Sequence, residues 1–207
     1  MSADLTSIPS SDFIADLERA ATAFEDKTKT RPQADVIVNA LLQAEKTAKQ
    51  QRLTYSFASL SGTWRLCFAT GTRSQKRGGI VLGKGFYMPK FTPAYISFST
   101  SEASDNTGEI TNQIQLGVLR LKLSGLTQYI GKKNLLAFDF HQMQISLFGR
   151  TIYNASVPGA KTQPDNFYNY SVAKLPFFAF FVITEDLIAA RGRGGGLALW
   201  IKTDTQC

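Results

Sequence analysis

The segment Gly62-Thr63-Trp64-Arg65-Leu66 opens a long run of strand-like stretches, and Arg191-Gly192 stands just before the last of them, residues 197–202. A Gly-x-Trp on a first strand with an Arg beside a last strand indicates a β-barrel closed at one end by an indole under a guanidinium. We therefore expect Trp64 to stack beneath Arg191. A barrel of this kind usually encloses a small apolar ligand, so the pattern bears on function as well as on fold.

Between these two segments the apolar residues recur at every second position, which is the period of a half-buried β-strand. The alternating sets are Trp64, Leu66 and Phe68; Ile96 and Phe98; Leu119, Leu121 and Leu123; Leu136, Phe138 and Phe140; and Met143, Ile145 and Leu147. One apolar and one polar face predicts an antiparallel sheet with a single buried side. About eight to ten such strands favour a closed barrel over a sandwich. We predict a mainly β fold that consists of a closed antiparallel β-barrel.

The first 58 residues have the period of a helix instead. Two apolar stripes at helical spacing follow Ser11 and Pro32, and they consist of Phe13, Ile14, Leu17, Ala20, Ala21 and Phe24, and of Val36, Ile37, Ala40, Leu41, Ala44 and Ala48. Each stripe needs a partner surface. We therefore predict an N-terminal helical pair in residues 1–58, packed on a barrel formed by residues 59–207.

The excess of positive charge is confined to the predicted barrel. The chain of 207 residues has a formal net charge of +7. Residues 1–58 contain seven Lys and Arg against eight Asp and Glu, whereas residues 59–207 contain sixteen against eight. Such a field suits an anionic surface, either lipid headgroups or nucleic acid. We predict a membrane-surface contact at the densest basic cluster, a solvated rim being the alternative; the cluster consists of Arg73, Lys76, Arg77, Lys84 and Lys90.

Few residues of the chain suit catalysis or metal binding. The two cysteines, Cys67 and Cys207, are a poor disulfide framework, and the single histidine, His141, has no second His or Cys near it in the sequence. No nucleophile has a base at a recognisable spacing. We therefore expect no catalytic activity, no metal and no cofactor.

Two glycine-rich stretches approach known binding motifs and depart from them. Residues 78–85 are close to a phosphate-binding loop, but Gly85 stands where a Ser or Thr would hold magnesium. Residues 191–196, Arg-Gly-Arg-Gly-Gly-Gly, form one short segment before a strand and are better explained as a turn. We expect no nucleic-acid partner.

Residues 175–183, Leu-Pro-Phe-Phe-Ala-Phe-Phe-Val-Ile, are the most apolar stretch, but they are far shorter than the roughly 20 residues of a membrane-spanning helix. As a strand this stretch has two apolar faces, and its outer face either lies under the N-terminal helices or docks on lipid or a partner. Pro176 indicates an edge strand. The N-terminus lacks the charged and apolar regions of a signal peptide, so we expect an intracellular protein without a transmembrane segment.

Residues 12–204 resemble the plastid lipid-associated proteins, also called fibrillins or plastoglobulins, which occur in plastids and cyanobacteria. A helical lead is followed by Leu-Ser-Gly-Thr-Trp-Arg-Leu at residues 60–66, similar to the family's Gly-x-Trp start at Gly62 and Trp64. Residues 184–192 resemble its acidic-Leu-Arg…Arg-Gly motif, in which Arg191 matches the second Arg, whereas Ile188 replaces the first. In this segment we expect a fold-fixing ion pair between Asp186 and Arg191.

The resemblance implies a lipocalin-like antiparallel β-barrel that binds or sheathes prenyl lipids, carotenoids or quinones. It also implies peripheral association with thylakoid membranes or lipid globules and a role in photoprotection. From the alternation alone, the residues expected to line the ligand pocket are Leu66, Phe68, Phe98, Phe138, Phe140, Met143 and Ile145. Two alternatives remain open. One is a structural coat protein whose barrel is filled by its own side chains. The other is a tetrapyrrole or bilin lyase on a calycin barrel, which the predicted outward position of Cys67 disfavours.

Overall fold

The computed structural model describes residues 12–26, 28–74, 80–101 and 104–204. Two helices come first, α1 (Asp12–Glu25) and α2 (Ala34–Gln51), as the apolar stripes predict. The strands that follow are β1 (Gly62–Ala69), β2 (Thr72–Ser74), β3 (Ile80–Leu82), β4 (Phe86–Tyr87), β5 (Ala94–Ser101), β6 (Ser104–Leu116), β7 (Leu119–Ile130), β8 (Leu135–Leu147), β9 (Arg150–Ser156), β10 (Phe177–Ile183), β11 (Leu187–Gly192) and β12 (Leu197–Thr203). Short 3₁₀ turns lie at Phe57–Leu60, Gly131–Lys133, Pro164–Asn169 and Val172–Lys174.

Eight of these strands form a closed antiparallel barrel in the order β10-β11-β12-β1-β5-β6-β7-β8. Residues 135–137 of β8 pair with residues 177–179 of β10 and close the ring. Beyond this junction β8 pairs with β9, and β2 and β3 form a separate hairpin. The predicted mainly β, lipocalin-like barrel with two preceding helices is confirmed. Since β10 has strand partners on both sides, the edge position indicated by Pro176 is wrong.

Apolar side chains fill the half of the barrel interior that lies nearest the start of β1. The cluster contains Phe57, Leu60, Trp64, Ile96, Phe98, Ile110, Tyr129, Leu136, Phe138, Phe180, Ile183, Ile188, Ala190 and Trp200. The 3₁₀ turn Phe57–Leu60 covers this end, and Trp64 Nε1 donates a hydrogen bond to Leu60 O at 2.7 Å. The turn and the indole together plug the barrel.

The two helices cover part of the barrel's outer face. Their buried stripes pack against outward side chains of β1, β10, β11 and β12, among them Cys67, Phe181, Val182 and Leu199. The outer face of β10 therefore lies under the helices at Phe181 and Val182. Of the two interpretations of that apolar strand, burial beneath the helices is confirmed there.

β-Bulges in β1, β8 and β10 change which side chains face inward. In β10 the register shifts between Phe180 and Val182, so Phe181 and Val182 both face the helices. In β1 the register shifts between Leu66 and Phe68, so both Cys67 and Phe68 face the helices. In β8 the bulge lies at His141, opposite Ser124 and Gly125 of β7. A Cβ on Gly125 would lie 1.8 Å from Asp139 O, so only glycine permits this close approach.

Candidate functional site

The cation over the Trp64 ring is Lys202, not Arg191. Lys202 lies opposite Trp64 in the β1–β12 register, and its Nζ stands 4.2 Å from the ring centroid. The same ammonium donates to Ser61 O at 2.7 Å. A Cβ on Gly62 would approach Lys202 Nζ to 2.6 Å, so the glycine of the Gly-x-Trp motif leaves room for the lysine. The expected Trp64–Arg191 stack is therefore wrong, although the plug itself is present.

Arg191 points outward and pairs with helix α2. Its Nε donates to Glu45 Oε1 at 2.9 Å and its Nη2 to Glu45 Oε2 at 2.5 Å, while Nη1 donates to Gly195 O. Lys49 Nζ also reaches Glu45 Oε1 at 2.9 Å. The expected Asp186–Arg191 pair is thus wrong. Asp186 lies exposed in the β10–β11 turn, where its backbone carbonyl accepts from Lys202 N at 2.8 Å.

Opposing effects act on the charge of Glu45. Burial raises the pKa of Glu45, but hydrogen bonds from Arg191 and Lys49 outweigh it and hold the pKa below its ordinary value. The hydrogen bond to Glu45 in turn raises the pKa of Arg191. Both groups therefore stay charged at neutral pH, and the pair fastens the helical layer to the barrel.

The seven residues predicted to line a pocket occupy three different environments. Phe68 is buried under the helices, because the bulge at Cys67 turns it outward, so its assignment to the pocket is wrong. Phe98 and Phe138 do point inward, but they are buried within the filled half of the barrel. The other four, Leu66, Phe140, Met143 and Ile145, are only partly buried.

A set of partly exposed apolar side chains lies at the end of the barrel opposite the plug, and we call this surface the mouth. It is formed by Leu66, Phe140, Phe178 and Ala198, which pack against the interior cluster from partly exposed positions. Phe178 stacks on Phe138 at 5.0 Å between ring centroids and meets Trp200 edge-on at 5.6 Å. Phe138 and Trp200 are buried, so these contacts join the mouth to the interior cluster. Alternation did not single out Phe178 or Ala198, although both strands were recognised.

The inner wall of the mouth continues along a four-stranded flap, defined as residues 112–124 of β6 and β7 and 142–156 of β8 and β9. The strand register places residues of neighbouring strands in rows across the sheet. One row consists of Trp64, Ile96, Asn112, Leu123 and Met143, and the next consists of Ile114, Leu121, Ile145 and Tyr153. Paired residues share a face of a sheet. Met143 and Ile145 therefore lie on the inward face of the flap, in continuity with the barrel interior.

One polar group is buried inside the barrel without a partner. Thr127 is fully buried opposite Phe138, and its hydroxyl has no hydrogen-bond partner among the described residues. Such groups are rare in folded proteins and each calls for a physical reason. Nothing in the sequence pattern distinguished Thr127 from the many threonines on strands.

The predicted basic cluster lies partly outside the described residues. Lys76 and Arg77 fall there, as does the side chain of Arg73. Lys84 is exposed, and Lys90 Nζ donates to Glu25 O at 3.3 Å. The membrane-surface role of these five residues therefore stays a prediction.

A second basic surface lies between α2 and the 3₁₀ turn Gly131–Lys133. A groove of about 500 Å³ there has Lys49, Arg52, Lys132 and Lys133 in its lining and Phe180 and Phe181 among its other residues. The sequence did not indicate this groove, because its cations come from segments about 80 residues apart.

Asp139 and His141 form a hydrogen-bonded cluster with Thr162. Asp139 Oδ2 accepts from Thr162 N at 2.8 Å and from Thr162 Oγ1 at 3.0 Å, and His141 Nε2 lies 3.0 Å from the same hydroxyl. This cluster ties the segment after β9 onto the barrel.

Burial raises the pKa of the Cys67 thiol to about 12, so Cys67 is unsuited to nucleophilic attack. Within the described ranges, no group of three or more His, Cys, Asp and Glu is placed to hold a metal ion.

No family model matches the sequence, and no curated protein matches it either. Neither of the two helices in the described part of the chain has the length and hydropathy needed to cross a membrane.

Proposed function

We propose that the protein binds a small apolar lipid, of the carotenoid, quinone or other isoprenoid class, without catalysing a reaction. The observation that carries the proposal is the mouth, where Leu66, Phe140, Phe178 and Ala198 cover the barrel core but remain partly exposed. Apolar and aromatic linings of this kind are typical of ligand sites. The filled interior limits the ligand to the mouth and the flap, so a long isoprenoid would lie along Met143 and Ile145.

We further propose peripheral association with a membrane or lipid globule. The excess of positive charge over residues 59–207 supports it, since anionic headgroups attract such a surface. The resemblance to the fibrillins supports a location at thylakoid membranes or lipid globules and a role in photoprotection. These parts of the proposal depend on sequence resemblance and charge.

The lipid-binding part can be tested by loading the protein in a host that makes carotenoid and quinone. The purified chain is then analysed by absorption and by mass spectrometry of bound small molecules. About one isoprenoid per chain is expected in the wild type. Ile145→Glu, which puts a carboxylate on the flap's inward face, should abolish the bound lipid, whereas Leu42→Glu on an exposed position of α2 should not. Equal loading of the two variants would contradict a site at the mouth.

A structural coat protein is the second candidate. The observation in its favour is the packed interior cluster, which fills one half of the barrel with the protein's own side chains. A barrel of this size can be filled entirely in this way. A colourless, lipid-free protein that still coats lipid globules would favour this second function over the first.

A further inference from the structure

The flap ends in two neighbouring β-turns that carry apolar side chains. One turn is Leu116-Gly117-Val118-Leu119 between β6 and β7, and the other is Leu147-Phe148-Gly149-Arg150 between β8 and β9. Phe148 N donates to Val118 O at 3.1 Å, so the turns lie side by side. We call these two turns the hairpin tips.

The apolar side chains of the hairpin tips face solvent. Phe148 is 76% exposed, and the exposed apolar residues in and beside the tips are Leu116, Val118, Leu119, Leu147, Phe148 and Ile152. Single exposed apolar residues are ordinary, but a contiguous group of this kind marks a site of interaction.

The backbone of the second tip makes Phe148 an unexpected residue there. Phe148 has a φ of 49° and Gly149 a φ of 77°, the left-handed pair typical of a two-residue hairpin turn. Asn or Asp is preferred at the first of these positions, because bulky side chains are strained at positive φ. An aromatic ring that is exposed in a strained conformation contributes little to folding. The ring is therefore better explained by a contact outside the chain.

The charged residues of the flap all have one sign. Residues 110–138 and 140–164 contain no Asp or Glu, whereas Arg120, Lys122 and Arg150 lie in or next to the tips. An apolar tip flanked by cations complements the surface of an anionic bilayer, in which the acyl boundary accepts apolar groups and the headgroups attract Lys and Arg.

We propose that the hairpin tips insert into the headgroup region of an anionic phospholipid bilayer, an inference that rests on the membrane part of the proposed function. Phe148 and Val118 enter the boundary with the acyl chains, and Arg150 and Arg120 contact the phosphates. Because the flap's inward face leads from these tips to the mouth, docking places the mouth next to the lipid. An apolar ligand then passes between bilayer and barrel without crossing water.

The test is co-sedimentation of the full chain with vesicles of phosphatidylcholine that contain about one third phosphatidylglycerol. Phe148→Asn removes the ring and places the favoured residue in the turn, so it should leave thermal stability unchanged or higher. We expect it to weaken vesicle binding about tenfold or more, the usual contribution of one buried Phe. Tyr168→Asn, an exposed aromatic on the 3₁₀ turn Pro164–Asn169, should bind as the wild type does.

The outcomes of this experiment distinguish a failure of the hairpin-tip proposal from a failure of membrane association itself. Wild-type binding that Phe148→Asn leaves intact would overturn the role of the tips and leave membrane association standing. Failure of the wild type to bind vesicles would overturn both. Arg150→Gln should weaken binding at low salt and matter less at high salt, because screening removes its contribution. A wild type that dimerises without vesicles, and becomes monomeric in Phe148→Asn, would assign the tips to a second copy of the chain and overturn the lipid assignment.

Discussion

Arg191 of β11 and Glu45 of α2 form a two-point ion pair between residues 146 apart in the sequence. The pair stands at the border between the helical layer and the barrel, and it is mostly shielded from solvent. Since Lys49 shares the same carboxylate, Glu45 connects two cations. Its position suggests that the helices are fixed on the barrel by a polar contact as well as by apolar packing.

Removal of the guanidinium should loosen this connection. Arg191→Met leaves the Glu45 carboxylate partly buried with only Lys49 beside it, and we expect a loss of about 2 kcal/mol in the free energy of unfolding. Urea denaturation measures this loss. Lys49→Met, which removes the more exposed partner, is the matched control and should cost less than about 1 kcal/mol. Equal losses in the two variants would show that the helix contact does not depend on Arg191.

The same pair predicts a dependence of stability on acid. Because the folded state holds the pKa of Glu45 below the ordinary value of 4.5, its carboxylate stabilises the fold fully above that pH. The contribution is lost as the pH falls below 4.5 through the lower folded pKa. The stability difference between wild type and Glu45→Gln, measured by urea denaturation from neutral pH downward, should therefore shrink on acidification. A difference that grows in acid would contradict the depressed pKa.

Trp64 and the Lys202 ammonium above its ring should contribute unequally to the free energy of unfolding. Trp64 is fully buried, so Trp64→Ala should lower the free energy of unfolding by about 3 to 5 kcal/mol. Lys202→Met, which removes only the ammonium above the ring, should cost about 1 kcal/mol. Thermal and urea unfolding of both variants provide the measurement. A cost below about 1 kcal/mol for Trp64→Ala would mean that the indole does not close the barrel.

The bulge in β8 should depend on the absence of a side chain at Gly125. A methyl group there would collide with the Asp139 carbonyl, so Gly125→Ala should cost about 2 kcal/mol or more. Gly194→Ala is the control, because nothing lies within 4 Å of its new Cβ. Hydrogen exchange of the β7 and β8 amides would show whether the loss is local. Unchanged stability in Gly125→Ala would contradict the tight register at the bulge.

Alternation in the sequence was sufficient to predict the barrel and the helical pair. The period of two along β1, β5, β7 and β8 sets which side chains can be buried, and Trp64 lies in the core as its spacing implies. The two helices were likewise predicted from their apolar stripes, the first of which includes Ile14 and Leu17. Local periodicity carries this information because burial repeats with the backbone geometry.

The bulges and the long-range pairs could not be predicted in this way. An extra residue at Cys67 reverses the facing of Phe68, whereas the bulge at His141 brings Phe140 and Met143 to the same face despite their odd spacing. Gly125 within an otherwise regular strand was the available sign of the β8 bulge. The partner of Arg191 lies on a helix, and no local pattern relates it to Glu45.

The position of Lys202 opposite Trp64 could have been predicted from the sequence. If the first and last strands of a barrel pair antiparallel, a cation near the end of the last strand lies opposite a Trp near the start of the first. Lys202 satisfies this condition and Arg191 does not, because Arg191 precedes the turn into β12. The motif resemblance favoured Arg191, and the strand register corrects it.

Titration of an isoprenoid quinone into the purified protein tests ligand binding at the mouth most directly. Trp200 contacts Phe178 of the mouth, so a quinone bound there should quench the fluorescence of Trp200. We expect saturable quenching at about one quinone per chain, with Ile145→Glu abolishing it and Leu42→Glu leaving it unchanged. Quenching that rises linearly without saturation, and equally in both variants, would contradict a binding site at the mouth of the barrel.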